Sequence, residues 1–312
     1  MSLNYQICNF LWNQSWFKPE YGRFIYKKIC QEAEAPDAPF VKDFFGLKYE
    51  GNLQNTIEFS IFYLGAFEKP LLFFLRDCLQ AMNRSPATFC DIGANIGQHS
   101  LFMSRIADTV HSFEPYQPVR DKLLHQISLN DLNNLTVHPV GLSDTNQSLP
   151  FFAPTGRNQG IGSFDASTVS KGNRNIGKLA LVAADEYMKN NNINSIDLMK
   201  IDVEGFEKSV LSGLKSTMTR YRPIVVCEIT YAKELSIKSL EELTGLFPEG
   251  YRFYTFDTRK ADGSKARRRG ARAKRTGSYR LIPFQFDHPK GQDDIIACPQ
   301  ELLNVLPMHN SA

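Results

Sequence analysis

Two short runs carry most of the chemistry this chain can offer. The first is Phe89-Cys90-Asp91-Ile92-Gly93-Ala94-Asn95-Ile96-Gly97. An apolar strand ends there in a carboxylate, and a turn of small residues leads straight into a helix. Glycine at positions 93 and 97 lets the backbone turn tightly and approach a ligand, and the N-terminus of the helix beyond offers unpaired N–H donors. The second run is Asp197-Leu198-Met199-Lys200-Ile201-Asp202-Val203-Glu204-Gly205-Phe206-Glu207. It places Asp202 and Glu204 at the end of another strand, and Glu228 closes the next one in Val225-Val226-Cys227-Glu228.

A glycine-rich strand–turn–helix unit suits an adenosyl ligand or a dinucleotide, and it also occurs as a plain connection. A dinucleotide site uses G-x-G-x-x-G to hold a pyrophosphate. Here the spacing is Gly93 to Gly97, with Asp91 two residues before the first glycine. A carboxylate aimed at the crevice repels a pyrophosphate and favours a ligand bearing an ammonium and a sulfonium, which points to S-adenosylmethionine. Glu114 follows Gly93 by 21 residues, at the end of the second strand, where a carboxylate can accept both ribose hydroxyls. Pro115 and Tyr116 come next and could flank the adenine. Val140-Gly141-Leu142-Ser143-Asp144 closes a third strand; Leu142 there could pack on adenine while Ser143 or Asp144 bonds its amino group, or the run is a simple polar turn. The candidate cofactor residues are therefore Asp91, Gly93, Ala94, Asn95, Gly97, Glu114, Pro115, Leu142, Ser143, Asp144 and Asp202.

Asp202, Glu204 and Glu228 are the candidate catalytic residues. Clustered carboxylates repel one another unless a proton, a cation or a substrate donor intervenes. They could deprotonate a hydroxyl, hold sugar hydroxyls or bind Mg²⁺ through oxygen; a divalent metal is thus allowed but not predicted. The alternative is that Glu204 and Glu207 only favour the N-terminus of the helix that follows. His99, just inside the first helix, fits a packing role better than that of a base. The other histidines show no ligand spacing.

These residues need a sheet to hold them. From about residue 87 the chain alternates short apolar runs with helical patterns, the signature of a mostly parallel sheet covered by helices. Strands are expected at Thr88–Ile92, Thr109–Glu114, Leu135–Leu142, Leu179–Val182, Ser195–Ile201, Pro223–Ile229, Tyr251–Phe256 and Asp294–Cys298. Gln147 to about Phe164 has the composition of a hairpin or loop excursion. The expected organisation is an aromatic-rich N-terminal helical cap over residues 1–85, through which substrate would enter, a catalytic α/β domain over 86–300, and a tail over 301–312.

The run Asp91–Gly97, the pair Glu114-Pro115, the segment Gly141–Asp144, and above all Lys200–Glu207 with Arg222-Pro223 and Glu228 resemble the FkbM-type methyltransferases. The likeness spans about residues 44–298 and includes Tyr49-Glu50-Gly51 through Gly65-Ala66-Phe67-Glu68. It implies a class I (Rossmann-like) methyltransferase fold, α/β with a seven-stranded mostly parallel sheet, and O-methylation of sugar or polyketide hydroxyls. It also implies that Asp91, Gly93 and Glu114 bind the cofactor and that Asp202 and Glu204 line the reaction centre. The alternatives are a nucleic-acid-associated methyltransferase, an NAD-dependent oxidoreductase and a non-catalytic nucleotide-binding module.

Charge is unevenly distributed. The 312 residues carry a net +3, yet Arg259 to Arg280 hold ten of the 36 Lys+Arg and one acid, Asp262. The remainder has 26 bases against 32 acids, or −6. This basic insertion, 259–280, has three readings: a solvated loop, an arm for an anionic acceptor such as a nucleotide-linked sugar or acidic glycan, or a contact to nucleic acid or an anionic membrane. The acidic body and the lack of an Asn-Pro-Pro-Tyr-type motif argue against nucleic acid. The six cysteines lack CxxC or metal-ligand spacing, which fits a reduced compartment. No transmembrane segment is expected, because Ile61–Leu75 is too short and is broken by Glu68, Lys69 and Pro70. A cytoplasmic protein is the expectation.

Overall fold

The computed structural model describes residues 37–154, 162–164, 172–231, 236–260, 263–286 and 291–310, with the isolated residues 7, 10, 11, 14 and 169. In chain order the elements are β1 (Pro39–Phe44), β2 (Leu47–Asn52), α1 (Thr56–Leu64), α2 (Lys69–Met82), β3 (Thr88–Ile92), α3 (Gln98–Met103), β4 (Thr109–Phe113), α4 (Gln117–Leu129) and β5 (Leu135–His138). There follow β6 (Gly141–Ser143), β7 (Gln147–Ala153), β8 (Arg174–Ala183), α5 (Ala184–Asn190), β9 (Leu198–Ile201), α6 (Glu207–Gly213), α7 (Lys215–Tyr221) and β10 (Ile224–Thr230). The chain continues through α8 (Leu240–Gly245), β11 (Tyr251–Phe256), α9 (Arg267–Thr276), β12 (Leu281–Pro283) and β13 (Gln292–Pro299).

The main sheet runs β12-β11-β13-β10-β9-β3-β4-β5. Strands β3, β4, β5, β9 and β10 are parallel, and β13 is antiparallel to both β10 and β11. This is the Rossmann-like order of a class I methyltransferase, with the chain reversing direction across the sheet between β3 and β9. Neighbouring residues of the central strands feed opposite faces. Phe89, Val226 and Ile296 pack in one apolar cluster with the N-terminal region, whereas Cys90, Val225 and Ile295 pack in the other with Val210, Leu211, Leu214 and Met218. Burial on both faces explains why these strands are continuous apolar runs.

Several expectations need correction. The sheet has eight strands instead of seven, because Leu281–Pro283 pairs with the edge of β11 as the chain returns from the basic insertion. The third expected strand is two: β5 stays in the main sheet, while β6 leaves it to pair with β8 in a separate sheet ordered β6-β8-β7. Residues 147–153 form a strand of that second sheet, antiparallel to β8 and bridged at Phe152 to Ser163, in keeping with the hairpin reading of that stretch, whereas β8 extends over ten residues, well beyond Leu179–Val182. The basic insertion contains a helix, α9, where a solvated loop was one reading.

The N-terminal cap is not wholly helical. Its described part opens with an antiparallel β1–β2 hairpin; residues 1–36 lie almost entirely outside the described residues. Phe45 and Gly46 make the two-residue turn, both at positive φ (53° and 85°), and Phe45 rests on Phe102 and Phe73 at ring-centroid distances of 4.8 and 5.9 Å. Three amide side chains then bracket this region to the sheet domain. Gln98 accepts from Phe67 N and donates to Phe67 O (2.6 and 2.8 Å), and Gln126 does the same with Glu50 (3.2 and 2.6 Å). Asn130 repeats the pattern with Lys48, both bonds being 2.8 Å. Each bracket satisfies a main-chain N–H and C=O pair that would otherwise lack partners. Among the described residues, no helix is long and apolar enough to cross a membrane.

Candidate active site

One cavity opens where the parallel strands end, above the β3 turn. Its walls include Gly93, Ala94, Asn95, Glu114, Pro115, Tyr116, Asp202, Glu204 and Glu228. Thus most candidate residues from distant parts of the chain meet at one place, the switch point at which open α/β sheets bind ligands.

The turn is held from below. Gly93 N and Ala94 N both donate to Phe113 O at 3.0 Å, and Asp202 N donates to Ile92 O at 3.0 Å. Gly93 has φ +82°, and a Cβ there would stand 1.8 Å from the carbonyl oxygen of Asp202. Glycine is required because two strand tips touch. Gly97 has φ +82° at the N-cap of α3, and a Cβ on it would meet Leu123 at 2.1 Å. It serves helix packing and is not on the cavity wall.

Asp91 also differs from its expected placement. It is completely buried, in register with Lys200 on one side and Ser112 on the other. Its Oδ2 accepts from Ser100 Oγ at 2.6 Å, and Ser112 Oγ donates to Ser100 Oγ at 2.7 Å. Among the described residues its Oδ1 has no hydrogen-bond partner, and it lies 4.0 Å from Lys200 Nζ. Burial pushes its pKa up, against the pull of Lys200 and Ser100. The carboxylate therefore braces the turn from inside and does not face the crevice, contrary to the expectation from sequence. Leu142, Ser143 and Asp144 are likewise off the cavity wall. Leu142 and Ser143 are buried in the second sheet, with Ser143 O pressed against Gly213 of α6. Departure of β6 from the main sheet carries all three away.

Glu114 is where the sequence put it. Its Oε2 accepts from Asn95 N (2.9 Å) and its Oε1 from Tyr116 N (2.8 Å), so each oxygen keeps a free lone pair. Burial pushes its pKa up to about 7, tempered by those two N–H groups and Arg120. Tyr116 and Phe151 face each other at 5.2 Å, and Phe151 meets Phe164 at 5.1 Å. These rings form an aromatic wall beside Glu114, and Phe151 and Phe164 come from the second sheet and its loop.

The opposite wall is acidic. Carboxylate oxygens of Asp202, Glu204 and Glu228 lie within 4.8 Å of one another, close enough for one cation to touch all three. At an effective dielectric near 20, each ionised pair at that range repels by roughly 3 kcal/mol, so they do not all ionise. Burial first, then Asp202, Asp294, Glu68 and Glu204, pushes Glu228 up to about 10. Gln292 Nε2 donates to its Oε1 at 2.7 Å. Asp202 has a different neighbour, Lys200 Nζ, 3.0 Å from its Oδ2. Burial alone would lower the Lys200 pKa, but Asp202, Asp91 and Glu68 around it raise it. Glu207 accepts from Gly205 N (2.9 Å) and Val203 N (3.3 Å), clamping the loop in which Glu204 adopts φ +52°. That matches the helix-start role foreseen for Glu207, not for Glu204.

Sequence reasoning gave no role to two groups in this cavity. Lys200 sat inside the most informative motif, yet inward direction at the penultimate position of a strand is visible only once the register is known. Glu68 lines the cavity from the N-terminal region, with its Oε2 3.6 Å from His99 Nε2. Burial, Asp294 and Asp202 raise it to about 8. His99 is buried against it, and burial followed by Lys200 holds its pKa well below the ordinary value. Four of the six cysteines, Cys78, Cys90, Cys227 and Cys298, are buried free thiols; Cys8 and Cys30 lie outside the described residues.

The features of this cavity suit S-adenosylmethionine: a glycine turn, a buried carboxylate with two open lone pairs beside an aromatic wall, and a facing set of acids for an ammonium and a sulfonium. The methyltransferase FkbM domain matches residues 91–253, more than half of the chain. The chain belongs to the FkbM methyltransferase family. It is 30% identical over 139 residues to the hexuronic acid methyltransferase AglP of Haloferax volcanii, covering 44% of this chain and 53% of that protein. With Methyltransferase 1 of Beauveria bassiana it shares 26% identity over 185 residues, covering 52% and 74%. The chain thus spans about half the length of the first of these relatives. Among solved structures, a methyltransferase FkbM from Methylobacillus flagellatus matches with a TM-score of 0.40 and 16% identity over 68% of this chain and 43% of that one. A SAM-dependent methyltransferase from Agrobacterium tumefaciens matches at 0.43 and 10%, over 86% and 72%.

Proposed function

We propose that the protein transfers a methyl group from S-adenosylmethionine to a hydroxyl of a sugar, a glycan or another small acceptor. The observation that carries this reading is the meeting of Glu114, the Gly93–Asn95 turn and the acids Asp202, Glu204 and Glu228 in one cavity. Family membership supports methyl transfer, and the hexuronic acid methyltransferase among its relatives supports a sugar acceptor.

Glu114 would receive the ribose hydroxyls on its two open lone pairs, and Pro115, Tyr116 and Phe151 would flank the adenine. The cofactor supplies an electrophilic methyl on a sulfonium. Displacement at that carbon is in line, so the protein must above all hold the acceptor oxygen behind it. Asp202 is the base: Lys200 occupies its Oδ2, leaving Oδ1 to take the proton as the new bond forms. Glu228 holds its proton at neutral pH and donates to the acceptor, with Glu204 completing the grip.

The test is transfer of label from S-adenosylmethionine to a panel of sugars, nucleotide sugars and glycans. The wild type should label at least one acceptor. Asp202→Asn should cut turnover by about 10²–10⁴-fold, far more than it weakens binding of S-adenosylhomocysteine. Full turnover by Asp202→Asn would remove Asp202 from the chemistry.

A further inference from the structure

The basic insertion is tied to the cavity rim at both ends. At its start, the Arg259 guanidinium grips Asp293 at 3.0 and 2.8 Å, and the adjacent Gln292 holds the cavity acid Glu228. At its far end, Lys69 Nζ donates to Arg275 O at 3.1 Å, and Lys69 directly follows the cavity acid Glu68. Helix α9 packs on α2, and Gly277 at its C-cap is pressed against Phe73. An Arg269–Asp257 ion pair fixes its first turn. Lys274 is close enough to temper the Glu68 carboxyl, and Lys265 to temper Asp294.

The outward side of this helix is unbalanced. Arg267, Arg268, Arg272 and Lys274 are exposed, and among the described residues none is within ion-pair distance of a carboxylate. Arg268 and Arg272 stand one turn apart on one side of the helix, and Arg267 and Lys274 two turns apart on another, so the four cations spread along about 10 Å of the axis at 1.5 Å per residue. Cations spread over that length, with Arg268 and Arg272 paired on one side, suit a chain of repeated charges better than a single anion. Its apolar residues are two alanines, so it has no side chain to insert into a lipid interface. The rest of the protein carries −6, so a polyanion must keep to the helix; a single glycan strand can do so, whereas a nucleic-acid duplex would lay phosphates over the acidic remainder.

We propose that α9 is a cationic rail at the mouth of the acceptor cavity that holds an acidic oligosaccharide and presents one of its sugar hydroxyls to Asp202. The proposal rests on the methyltransferase reading above and adds the charge class of the acceptor.

The experiment uses the full chain with saturating S-adenosylhomocysteine. Binding of oligogalacturonate is compared with neutral malto-oligosaccharide, single-stranded RNA and anionic phospholipid vesicles. Wild type should bind oligogalacturonate saturably and more tightly than the other three. Arg268→Glu/Arg272→Glu should weaken it by at least about tenfold, and Arg268→Lys/Arg272→Lys should retain it. Binding that is absent, equal in the Glu variant, matched by the neutral glycan or exceeded by RNA or vesicles overturns the rail. Titration of S-adenosylhomocysteine into the cofactor-free full chain, run separately, separates the two readings. Cofactor binding without glycan binding refutes the rail alone, whereas no cofactor binding by the wild type refutes the methyltransferase reading and the rail with it.

Discussion

Gly93 and Asp202 meet so closely at the strand tips that a methyl group on the first would stand 1.8 Å from the carbonyl oxygen of the second. The contact is backbone on backbone, and the glycine is also at φ +82°, so nothing flexible can give way. Gly93→Ala should destabilise the fold by about 2 kcal/mol or more and abolish S-adenosylhomocysteine binding. Urea denaturation and calorimetry check the two effects. An alanine variant with wild-type stability would show that the tips are further apart.

Lys200 is the only cation the buried Asp91 has within 4.0 Å among the described residues, and it also pairs with Asp202. Lys200→Met leaves a buried carboxylate unbalanced and should cost about 3–5 kcal/mol. Lys200→Met/Asp91→Asn should recover much of that loss in a double-mutant cycle. If the two substitutions are additive, the charges are not coupled.

The parallel strands, the glycine turn, Glu114 and the acids at 202, 204 and 228 were legible because each rests on local pattern: an apolar run, a breaker and a carboxylate in sequence. What escaped depended on pairing between distant segments. Whether Asp91 points inward or outward is decided by its register with Lys200 and Ser112. Leu142–Asp144 looked like a strand end of the main sheet, but β6 changes sheets, which no residue type in it announces. Helix α9 was hidden by its lack of an apolar face, although arginine, alanine and lysine are good helix formers. Glu68 enters the site only because the amide brackets of Gln98, Gln126 and Asn130 fix the N-terminal region over the sheet.

The acid wall should make the free protein less stable as the pH rises. Burial raises Glu114 to about 7, Glu68 to about 8 and, with its acidic neighbours, Glu228 to about 10, all from an ordinary 4.5. The folded chain therefore binds more protons than the unfolded one between those values. The stabilisation is fully present below pH 4.5 and is lost progressively as the pH climbs through the folded values. Up to about pH 6.5 the histidines His99, His111 and His138, whose pKa values burial lowers, act in the opposite sense, so the Tm should fall from about pH 7 to about pH 9. S-adenosylmethionine, whose sulfonium is cationic, should offset that fall more than S-adenosylhomocysteine does. A Tm that rises over this range would mean that Glu68, Glu114 and Glu228 are already ionised in the folded chain at low pH.

Glu114 needs its charge to receive two hydroxyl donors. Affinity for S-adenosylhomocysteine should therefore weaken as the pH drops below about 7, and Glu114→Gln should flatten that dependence. The substitution should also weaken binding about tenfold or more, the scale of hydrogen bonds to a charged acceptor. An unchanged pH profile in Glu114→Gln would assign the titration to another group.

The most direct measurement is calorimetric titration of the wild-type chain with S-adenosylhomocysteine and, separately, with NAD. The acid-lined cavity should bind the first with micromolar or better affinity, lose it in Glu114→Ala, and give no heat with the second. Binding of NAD with none of S-adenosylhomocysteine would contradict the assignment of this cavity to a methyl donor.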